Sequence, residues 1–328
     1  MNKVLITGGC GFLGIKLIER LIERNINIRV IDNLITGTRD DLNAVTKYKE
    51  IAEGQINGPP IGVELIVGDI LDKDLALSAT SGCDAIVHFA ANTGVGPSVD
   101  NPRYDCMTNV VGTFNYLEAA RINKISRFVF ASSGAPAGEV EPPIHEELPP
   151  HPVSPYGASK LAGEGYCSAY CKTFNIDTVM LRFGNVYGPG SLHKNSLVAK
   201  FIRHALNGEV LEIYGSGSQT RDFIYIDDLI DAVMLAIYTP NIGGEVFQIA
   251  SNMETTVGSI TEQLVSILKL EGISKISLIN GEKRLGDVMR NYSDTSKAKT
   301  ILGWSPKMDL PKGLQKTVKY FLQSKGLL

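Results

Sequence analysis

The first fourteen residues constrain the fold more than any other stretch of the chain. Residues 3–7 are a short apolar run, glycines follow at positions 8, 11 and 14, and apolar residues then recur at helical spacing. This order is typical of a strand, a tight turn and a helix, the unit from which parallel sheets are built. Glycines also let a diphosphate approach the backbone and the helix N-terminus. A βα turn without any ligand has the same pattern, so the glycines need a second signal.

That second signal stands at the end of the next predicted strand. Residues 28–31 are apolar, and Asp32 and Asn33 follow. A carboxylate about 20 residues beyond the glycines can accept hydrogen bonds from an adenosine ribose. Because like charges repel, the same carboxylate disfavours a ribose 2′-phosphate. The two signals together predict a dinucleotide site and favour NAD over NADP.

Apolar runs alternate with helical patterns through the first 185 residues. Further strands are predicted at 63–67, 85–89, 127–131 and 177–181. Six alternations predict an α/β fold with a parallel doubly wound sheet, whose ligands bind at the carboxyl ends of the strands. Those ends carry the glycine turn, Asp32, Asp69, Ala90-Ala91, Ser132-Ser133 and the stretch from Arg182 to Asn185.

The alternation weakens after residue 185. We therefore expect residues 1–185 to form a dinucleotide-binding domain, with 223–250 returning to it, and 186–328 to form a smaller α/β cap. Three local predictions accompany this division: an irregular surface connection at 36–60, Asp227 as the N-cap of a helix, and a helix at 294–301.

Tyr156 and Lys160 form the clearest pair of chemically reactive residues. Ser154 and Pro155 precede them as a helix N-cap and first residue, and the i, i+4 spacing places phenol and ammonium on one helix face. A free phenol titrates near pH ~10, so a tyrosine base at neutral pH needs about 4 kcal/mol of phenolate stabilisation. An ammonium at ~4 Å supplies about that much at an effective dielectric of ~20. The same spacing occurs on solvated helices, so it indicates a base only beside a dinucleotide site.

Composition and charge exclude several other functions. The net charge is −3 and basic residues form no run, which argues against nucleic acid or a membrane surface as a partner. No apolar stretch reaches the ~18 residues of a membrane span, and the chain starts directly with a strand, so we expect a cytoplasmic protein. The five cysteines and five histidines show no ligand spacing, so no metal site is predicted.

The motifs, taken together, resemble the extended short-chain dehydrogenase/reductase family of NAD-dependent nucleotide-sugar epimerases and dehydratases. Over essentially the whole chain they occur in the family's order: TGGCGFLG, DNL, GDI, HFAA, SPYGASK, LRFGNVYGPG, RDFIYIDDL and RLGDV…SDTSKAKTILGW. The resemblance implies a Rossmann-like fold, NAD as cofactor and a nucleotide sugar as substrate. It also implies a homodimer formed through the helices near 101–122 and 155–174.

The resemblance assigns roles to single residues. Those that would hold NAD are Gly8, Gly11, Phe12, Leu13, Asp32, Asn33, Thr36, Gly37, Asp69, Ile70, Phe89, Ala90, Ala91, Tyr156 and Lys160. Those that would hold the nucleotide sugar are Ser133, Asn185, Leu197, Val198, Tyr214, Arg221, Arg284 and Asp287. The two arginines suit a diphosphate, because each guanidinium can donate a bidentate fork. Asn109, an amide on a packing helix, is predicted to tie two strand loops together at the cofactor.

The resemblance also implies a mechanism by transient oxidation. Tyr156 would take the proton of the sugar 4-hydroxyl, Lys160 would keep the phenolate charged, and Ser133 would donate a hydrogen bond to the developing carbonyl. C4 would become a ketone and be reduced from its other face. A UDP-sugar 4-epimerase, acting on UDP-glucose and UDP-galactose and/or their N-acetylated counterparts, would result.

The loop after Ser133 separates the branches of the family. Gly134 and Ala135 stand where the 4,6-dehydratases have an Asp-Glu pair and the decarboxylases a Glu, which favours the epimerase. A dehydratase or a UDP-glucuronate decarboxylase or 4-epimerase remains the alternative if Glu139 or Glu141 of this loop enters the site. A non-catalytic NAD-binding protein is the third reading, against which the intact catalytic set argues.

Asn291 bears on which sugar is accepted. It stands where some hexose-only epimerases have a bulky tyrosine. A smaller side chain leaves room for a 2-acetamido group, so we expect N-acetylhexosamines to be tolerated.

Overall fold

A parallel sheet of eight strands carries the core of this computed structural model, which describes residues 1–282 and 288–328. In chain order the strands are β1 (Lys3–Thr7), β2 (Asn27–Asp32), β3 (Lys49–Glu50), β4 (Val63–Val67), β5 (Ala85–His88), β6 (Arg127–Ser133), β7 (Asp177–Phe183), β8 (Asn185–Tyr187), β9 (Leu211–Tyr214), β10 (Thr220–Arg221), β11 (Phe223–Tyr225), β12 (Val246–Ile249), β13 (Thr255–Thr256) and β14 (Leu278–Gly281). The large sheet has the order β12-β7-β6-β5-β1-β2-β4-β3, and every neighbouring pair is parallel.

Helices cover both faces of this sheet. In chain order they are α1 (Phe12–Ile22), α2 (Arg39–Val45), α3 (Lys73–Ala79), α4 (Val95–Asp100), α5 (Pro102–Cys106), α6 (Gly112–Ile122), α7 (Pro155–Phe174), α8 (Leu197–Asn207), α9 (Ile226–Tyr238), α10 (Val257–Leu270) and α11 (Leu310–Ser324). Successive side chains of β1 point to opposite faces: Val4 and Ile6 pack with α1 and α9, whereas Leu5 packs with α3, α6 and α7. The predicted doubly wound parallel sheet is confirmed.

The C-terminal part combines helices with three two-stranded sheets. These are β8-β11 and β9-β14, both parallel, and the antiparallel pair β10-β13. From the segment predicted to return, β12 joins the large sheet beside β7 and α9 packs on α1, whereas β11 pairs with β8. The division into two domains at residue 185 stays a prediction.

Two of the three local predictions were wrong. The 36–60 connection is not irregular, because Thr38 and Asp41 form a capping box that starts α2, and β3 adds an edge strand beside β4. Tyr225, rather than Asp227, is the N-cap of α9. The helix predicted at 294–301 is confirmed to within two residues, since Ser296 and Lys297 are helical and continue into a π-helix at Ala298–Leu302. Within the described part of the chain, no helix has the length and apolarity needed to cross a bilayer.

Candidate active site

The glycine turn between β1 and α1 is closed by backbone contacts. Gly8 has φ +69°, and a Cβ at this position would lie 2.8 Å from the backbone nitrogen of Ala90. A Cβ at Gly14 would lie 2.4 Å from Gly9 Cα. Both distances are too short for a side chain. Glycine at these two positions therefore lets the turn pack closely, and α1 begins a few residues after β1 ends. The N–H groups of its first turn, which include Phe12 and Leu13, have no partner within the helix and suit an anion.

Asp32 ends β2 directly beneath this turn. Its Oδ2 accepts a hydrogen bond from the Cys10 N–H (2.9 Å), and its Oδ1 accepts one from the Leu34 N–H (2.8 Å). Burial raises the pKa of Asp32, and the two backbone hydrogen bonds oppose that rise. Gly37 lies against the same turn, because a Cβ there would lie 2.1 Å from the Cys10 carbonyl oxygen. The predicted adenosine-ribose residues Asp32 and Gly37 are therefore brought together, with Thr36 exposed beside them.

The neighbouring strand ends complete the cofactor side. Asn33 Nδ2 donates to Asp69 Oδ2 at 3.1 Å, which links the ends of β2 and β4. Ile70 is buried against α6, and Phe89 and Ala90 hydrogen-bond through their N–H groups to the Thr7 carbonyl at the end of β1. All of these predicted cofactor residues lie at the carboxyl ends of the strands, and Ala91 follows them in the chain.

Asn109 ties two segments together, but they are the loop after β5 and helix α7 rather than the two strand loops that the sequence predicted. It lies in a π-helical turn between α5 and α6, where its Oδ1 accepts from the Asn92 N–H at 2.8 Å. Its Nδ2 lies 3.0 Å from both Asp105 Oδ1 and Ser159 Oγ. Ser159 stands between the two reactive residues of α7, so Asn109 joins the loop after β5 to that helix. Direct contact of Asn109 with the cofactor stays a prediction.

Ser133, Tyr156 and Lys160 meet where β6 ends beside the start of α7. Lys160 is buried and its Nζ donates to the Ala131 carbonyl at 2.8 Å, 5.9 Å from the centre of the Tyr156 ring. Burial lowers the pKa of Lys160 to about 8, and Asp105 is the first carboxylate that opposes this.

Burial raises the pKa of Tyr156 to about 12. A side-chain hydrogen bond with Ser133 opposes this rise, and the charge of Asp105 adds to it. In the ligand-free chain the phenol is therefore protonated at neutral pH, and the role of Tyr156 as a base stays a prediction.

The buried carboxylate of Glu164 lies on the same helix as Tyr156 and Lys160, and the sequence analysis did not predict a role for it. Glu164 accepts two hydrogen bonds from Arg182, both at 2.8 Å, and one from the Ser132 hydroxyl at 2.5 Å. Glu164 and Arg182 are both about 95% buried. The signal was present, since Tyr156, Lys160 and Glu164 repeat at i, i+4 and i+8 on one helix face.

Apart from Ser133, the predicted substrate residues that the structure describes lie on β8, α8, β9 and β10. Asn185, Leu197 and Val198 line one small cavity between β8 and the start of α8. Tyr214 ends β9, with Lys200 Nζ 5.4 Å from its ring centre. Arg221 donates to the Val288 carbonyl at 2.8 Å. The other two substrate predictions, Arg284 and Asp287, lie outside the described residues.

Comparison with known proteins agrees with this arrangement. The family model described as "NAD dependent epimerase/dehydratase family" matches residues 4–250. The chain belongs to this family. A putative UDP-glucose 4-epimerase from Methanocaldococcus jannaschii is 36% identical, covering 97% of each chain.

Solved structures of the epimerase/dehydratase family share the whole fold. UDP-glucose 4-epimerase from Thermotoga maritima, solved with UDP-glucose, is 32% identical with a TM-score of 0.88, covering 98% of this chain and 99% of that one. UDP-N-acetylglucosamine 4-epimerase from Methanobrevibacter ruminantium, in complex with UDP-N-acetylmuramic acid, is 28% identical with a TM-score of 0.86 and the same coverage. The likeness therefore extends over the C-terminal part of the chain as well as the large sheet.

NAD, the cofactor of this epimerase/dehydratase family, fits the residues present. The glycine turn is packed backbone on backbone at Gly8, Gly14 and Gly37, which leaves the N–H groups at the start of α1 without side chains over them and available to a diphosphate. Asp32 keeps oxygen lone pairs for ribose hydroxyls after accepting its two backbone hydrogen bonds.

The loop that separates the branches of the family turns sharply after Ser133. Residues Ala135–Ala137 form a 3-10 turn, and Gly134 faces Asn291, whose Oδ1 would lie 3.7 Å from a Cβ at position 134. Glu139 is exposed, and Glu141 accepts a hydrogen bond from Arg290 on the surface. The side chain that faces Gly134, next to Ser133 in the chain, is thus the amide of Asn291 rather than a carboxylate of this loop.

Proposed function

We propose that this protein is a UDP-sugar 4-epimerase. The observation that carries the proposal is the surroundings of Ser133. One tyrosine-lysine pair lies beside it, and the next two residues, Gly134 and Ala135, have no side chain that can transfer a proton. Elimination of water from the 4-keto sugar needs a further acid/base couple, whereas epimerisation needs only the reversible oxidation at C4.

The residues of the chain divide this oxidation among them. Tyr156 takes the proton from the 4-hydroxyl and returns it after the sugar has turned over. Ser133 donates a hydrogen bond to the same oxygen as it becomes a carbonyl, and buried Lys160 holds positive charge near the phenolate. NAD, when bound, would accept the hydride from C4, and its positive nicotinamide ring would add to the charge of Lys160 in favouring the phenolate of Tyr156.

The direct test is incubation of the purified protein with UDP-N-acetylglucosamine, UDP-glucose and UDP-glucuronate separately, without added cofactor. We expect a 4-epimer of unchanged mass, identified by NMR and mass spectrometry. Loss of water or carbon dioxide would show a dehydratase or decarboxylase and overturn the proposal. NAD that stays bound while all three sugars remain unchanged would favour a non-catalytic protein instead.

We propose further that N-acetylated sugars are accepted, because Asn291 faces Gly134 beside Ser133 and both side chains are small. Asn291→Tyr is expected to lower kcat/KM for UDP-N-acetylglucosamine while sparing UDP-glucose, and Asn291→Ser serves as the matched small control. Equal effects of the tyrosine on both sugars would contradict this assignment.

A homodimer is the expected assembly, and an aromatic surface on α6 and α7 supports it. Phe114, Tyr166 and Phe174 are 37%, 41% and 45% exposed, and Phe114 packs edge-on against Tyr166. We propose that a second copy covers these rings. Phe114→Glu should give monomers in light scattering, whereas Leu270→Glu on α10 should not. The cytoplasmic location stays a prediction that fractionation of the source cells can check.

A further inference from the structure

Lys194 lies where the segment after β8 crosses the start of α1. Its Nζ lies 5.1 Å from the centre of the Phe12 ring and donates a hydrogen bond to the Val186 carbonyl at 3.0 Å. Phe12 is the first residue of α1, directly after the glycine turn. The same segment approaches the ring a second time at Gly190, where a Cβ would lie 3.4 Å from it. The ammonium of Lys194 therefore contacts the side chain of the residue with which α1 begins at the glycine turn.

The charge of Lys194 is not balanced within the described chain. No carboxylate there lies within ion-pair distance of its Nζ, and burial lowers the pKa of Lys194 to about 8 without an opposing acid. Other cations near the glycine turn are paired: Lys16 lies 2.9 Å from Glu19, and Arg39 lies 2.8 Å from Glu50. An ammonium that loses water without gaining a counter-charge raises the free energy of the protein, and an anionic ligand would lower it.

The backbone around Lys194 is held in place. Arg203 of α8 donates to the carbonyls of Leu192 (2.8 Å) and Lys194 (2.5 Å), while the Lys194 N–H donates to the Ser191 carbonyl at 3.0 Å. Ser191 is 1% exposed and its hydroxyl donates back to Gly188. The position of this lysine is built into the segment, unlike that of a lysine on an open surface.

We propose that Lys194 binds a diphosphate at the glycine turn, the diphosphate of NAD in the first place. A lysine ammonium is a compact positive charge that suits phosphate oxygens, and the N–H groups at the start of α1 face the same anion. The nucleotide sugar carries the same chemical group, and its predicted site begins at Asn185, one residue before the Val186 carbonyl. The inference rests on the NAD dependence of the family and does not depend on which sugar is converted.

Three variants test the proposal. Lys194→Met removes the charge but keeps an apolar chain on Phe12, Lys194→Arg keeps the charge, and Lys319→Met removes an exposed lysine on α11 as a control. The readouts are the NAD retained after desalting, the Kd for NAD of the stripped protein, and the Kd for UDP of the NAD-loaded protein. Thermal unfolding without ligands checks that each variant folds.

Loss of a charge-assisted hydrogen bond to phosphate should raise the Kd of Lys194→Met roughly tenfold to hundredfold. Lys194→Arg should stay within a few fold of wild type, and Lys319→Met should match it. A rise for NAD assigns the cofactor diphosphate, and a rise for UDP alone assigns the diphosphate of the sugar nucleotide. If neither Kd changes in Lys194→Met, the proposal is wrong.

The pH dependence of NAD binding gives an independent readout. In free protein Lys194 loses its proton as the pH rises through about 8, so affinity for a diphosphate should be full below this pH and decline above it. Lys160 titrates in the same range, Arg203 stays charged, and His193 beside Lys194 is exposed. The decline between pH 7 and pH 9 should therefore be steeper in wild type than in Lys194→Met, and parallel curves would overturn the assignment.

Discussion

The cofactor side of the candidate site, at the glycine turn and Asp32, and its sugar side, around Ser133 and Asn291, are built in different ways. On the cofactor side, backbone packs on backbone: Gly14 lies against Gly9, and Gly37 against the Cys10 carbonyl, at distances that exclude a Cβ. On the sugar side, contacts run between side chains and distant segments, as where Gly134 faces Asn291. A backbone-built site allows few residue types at each position. A site built from side chains can change its ligand by single substitutions.

This difference explains why one family can keep its cofactor while its sugars vary. The glycine turn and Asp32 should tolerate few substitutions, because each packs on or hydrogen-bonds to backbone atoms, and these do not change when a neighbouring residue is substituted. The sugar side depends on which side chain stands at positions such as 291. The following substitutions test that contrast, beginning with the residue on which both sides converge.

Tyr156→Phe should have the largest effect. Removal of the phenol oxygen deletes the proposed base, so kcat should fall roughly 10²- to 10⁴-fold. The phenol oxygen supplies at most one of the many predicted contacts to NAD and none of those to UDP, so the Kd for NAD should rise no more than a few fold and the Kd for UDP should change little. Product formation by NMR and calorimetric titration measure the two quantities. A variant that loses ligand binding together with turnover would show that Tyr156 is structural.

Arg182→Met should reduce stability strongly. It leaves the Glu164 carboxylate buried without its partner, which costs about 3–5 kcal/mol of unfolding free energy. Denaturant unfolding of the NAD-free protein measures this without a contribution from ligand binding. The matched double variant Arg182→Met with Glu164→Gln removes the unpaired charge and should recover much of the loss. A double variant no more stable than the single one would contradict the ion-pair explanation.

The same substitution, glycine to alanine, can be made on the cofactor side and on the sugar side and compares them directly. Gly14→Ala places a methyl group 2.4 Å from Gly9 Cα, and overpacking of this kind costs about 1–3 kcal/mol. We expect weaker NAD retention after desalting and a lower Tm. Gly134→Ala meets its nearest neighbour at 3.7 Å, an ordinary contact, so NAD retention should not change. The contrast fails if both alanines are tolerated or if Gly134→Ala releases the cofactor.

Much of the cofactor side could be predicted because its signals are local in sequence. The glycines at 8, 11 and 14 and the acid at 32 follow from what one βαβ unit requires. The Glu164–Arg182 pair was harder to predict, since a glutamate on a helix is usually solvated and its partner lies on another strand. The short helix and edge strand in 36–60 were missed because such brief elements carry almost no periodicity.

The sugar side could not be predicted to the same depth. The contact between Gly134 and Asn291 joins residues far apart in sequence, and only the folded chain brings them together. The pKa of Tyr156 was also beyond a spacing argument, because the i, i+4 pattern gives the distance to an ammonium but not the loss of solvent that opposes it.

Asp32 limits how this enzyme could be re-engineered for another coenzyme. The carboxylate that repels a 2′-phosphate also accepts the N–H groups of Cys10 and Leu34, and Leu34 has a left-handed φ of +59°. Asparagine would keep an acceptor for one of those amides, and alanine for neither, at about 1–3 kcal/mol for each one that is left buried without a partner. Conversion to NADP therefore requires redesign of the loop at 33–38 together with residue 32. Coenzyme preference in this chain is a property of that whole segment.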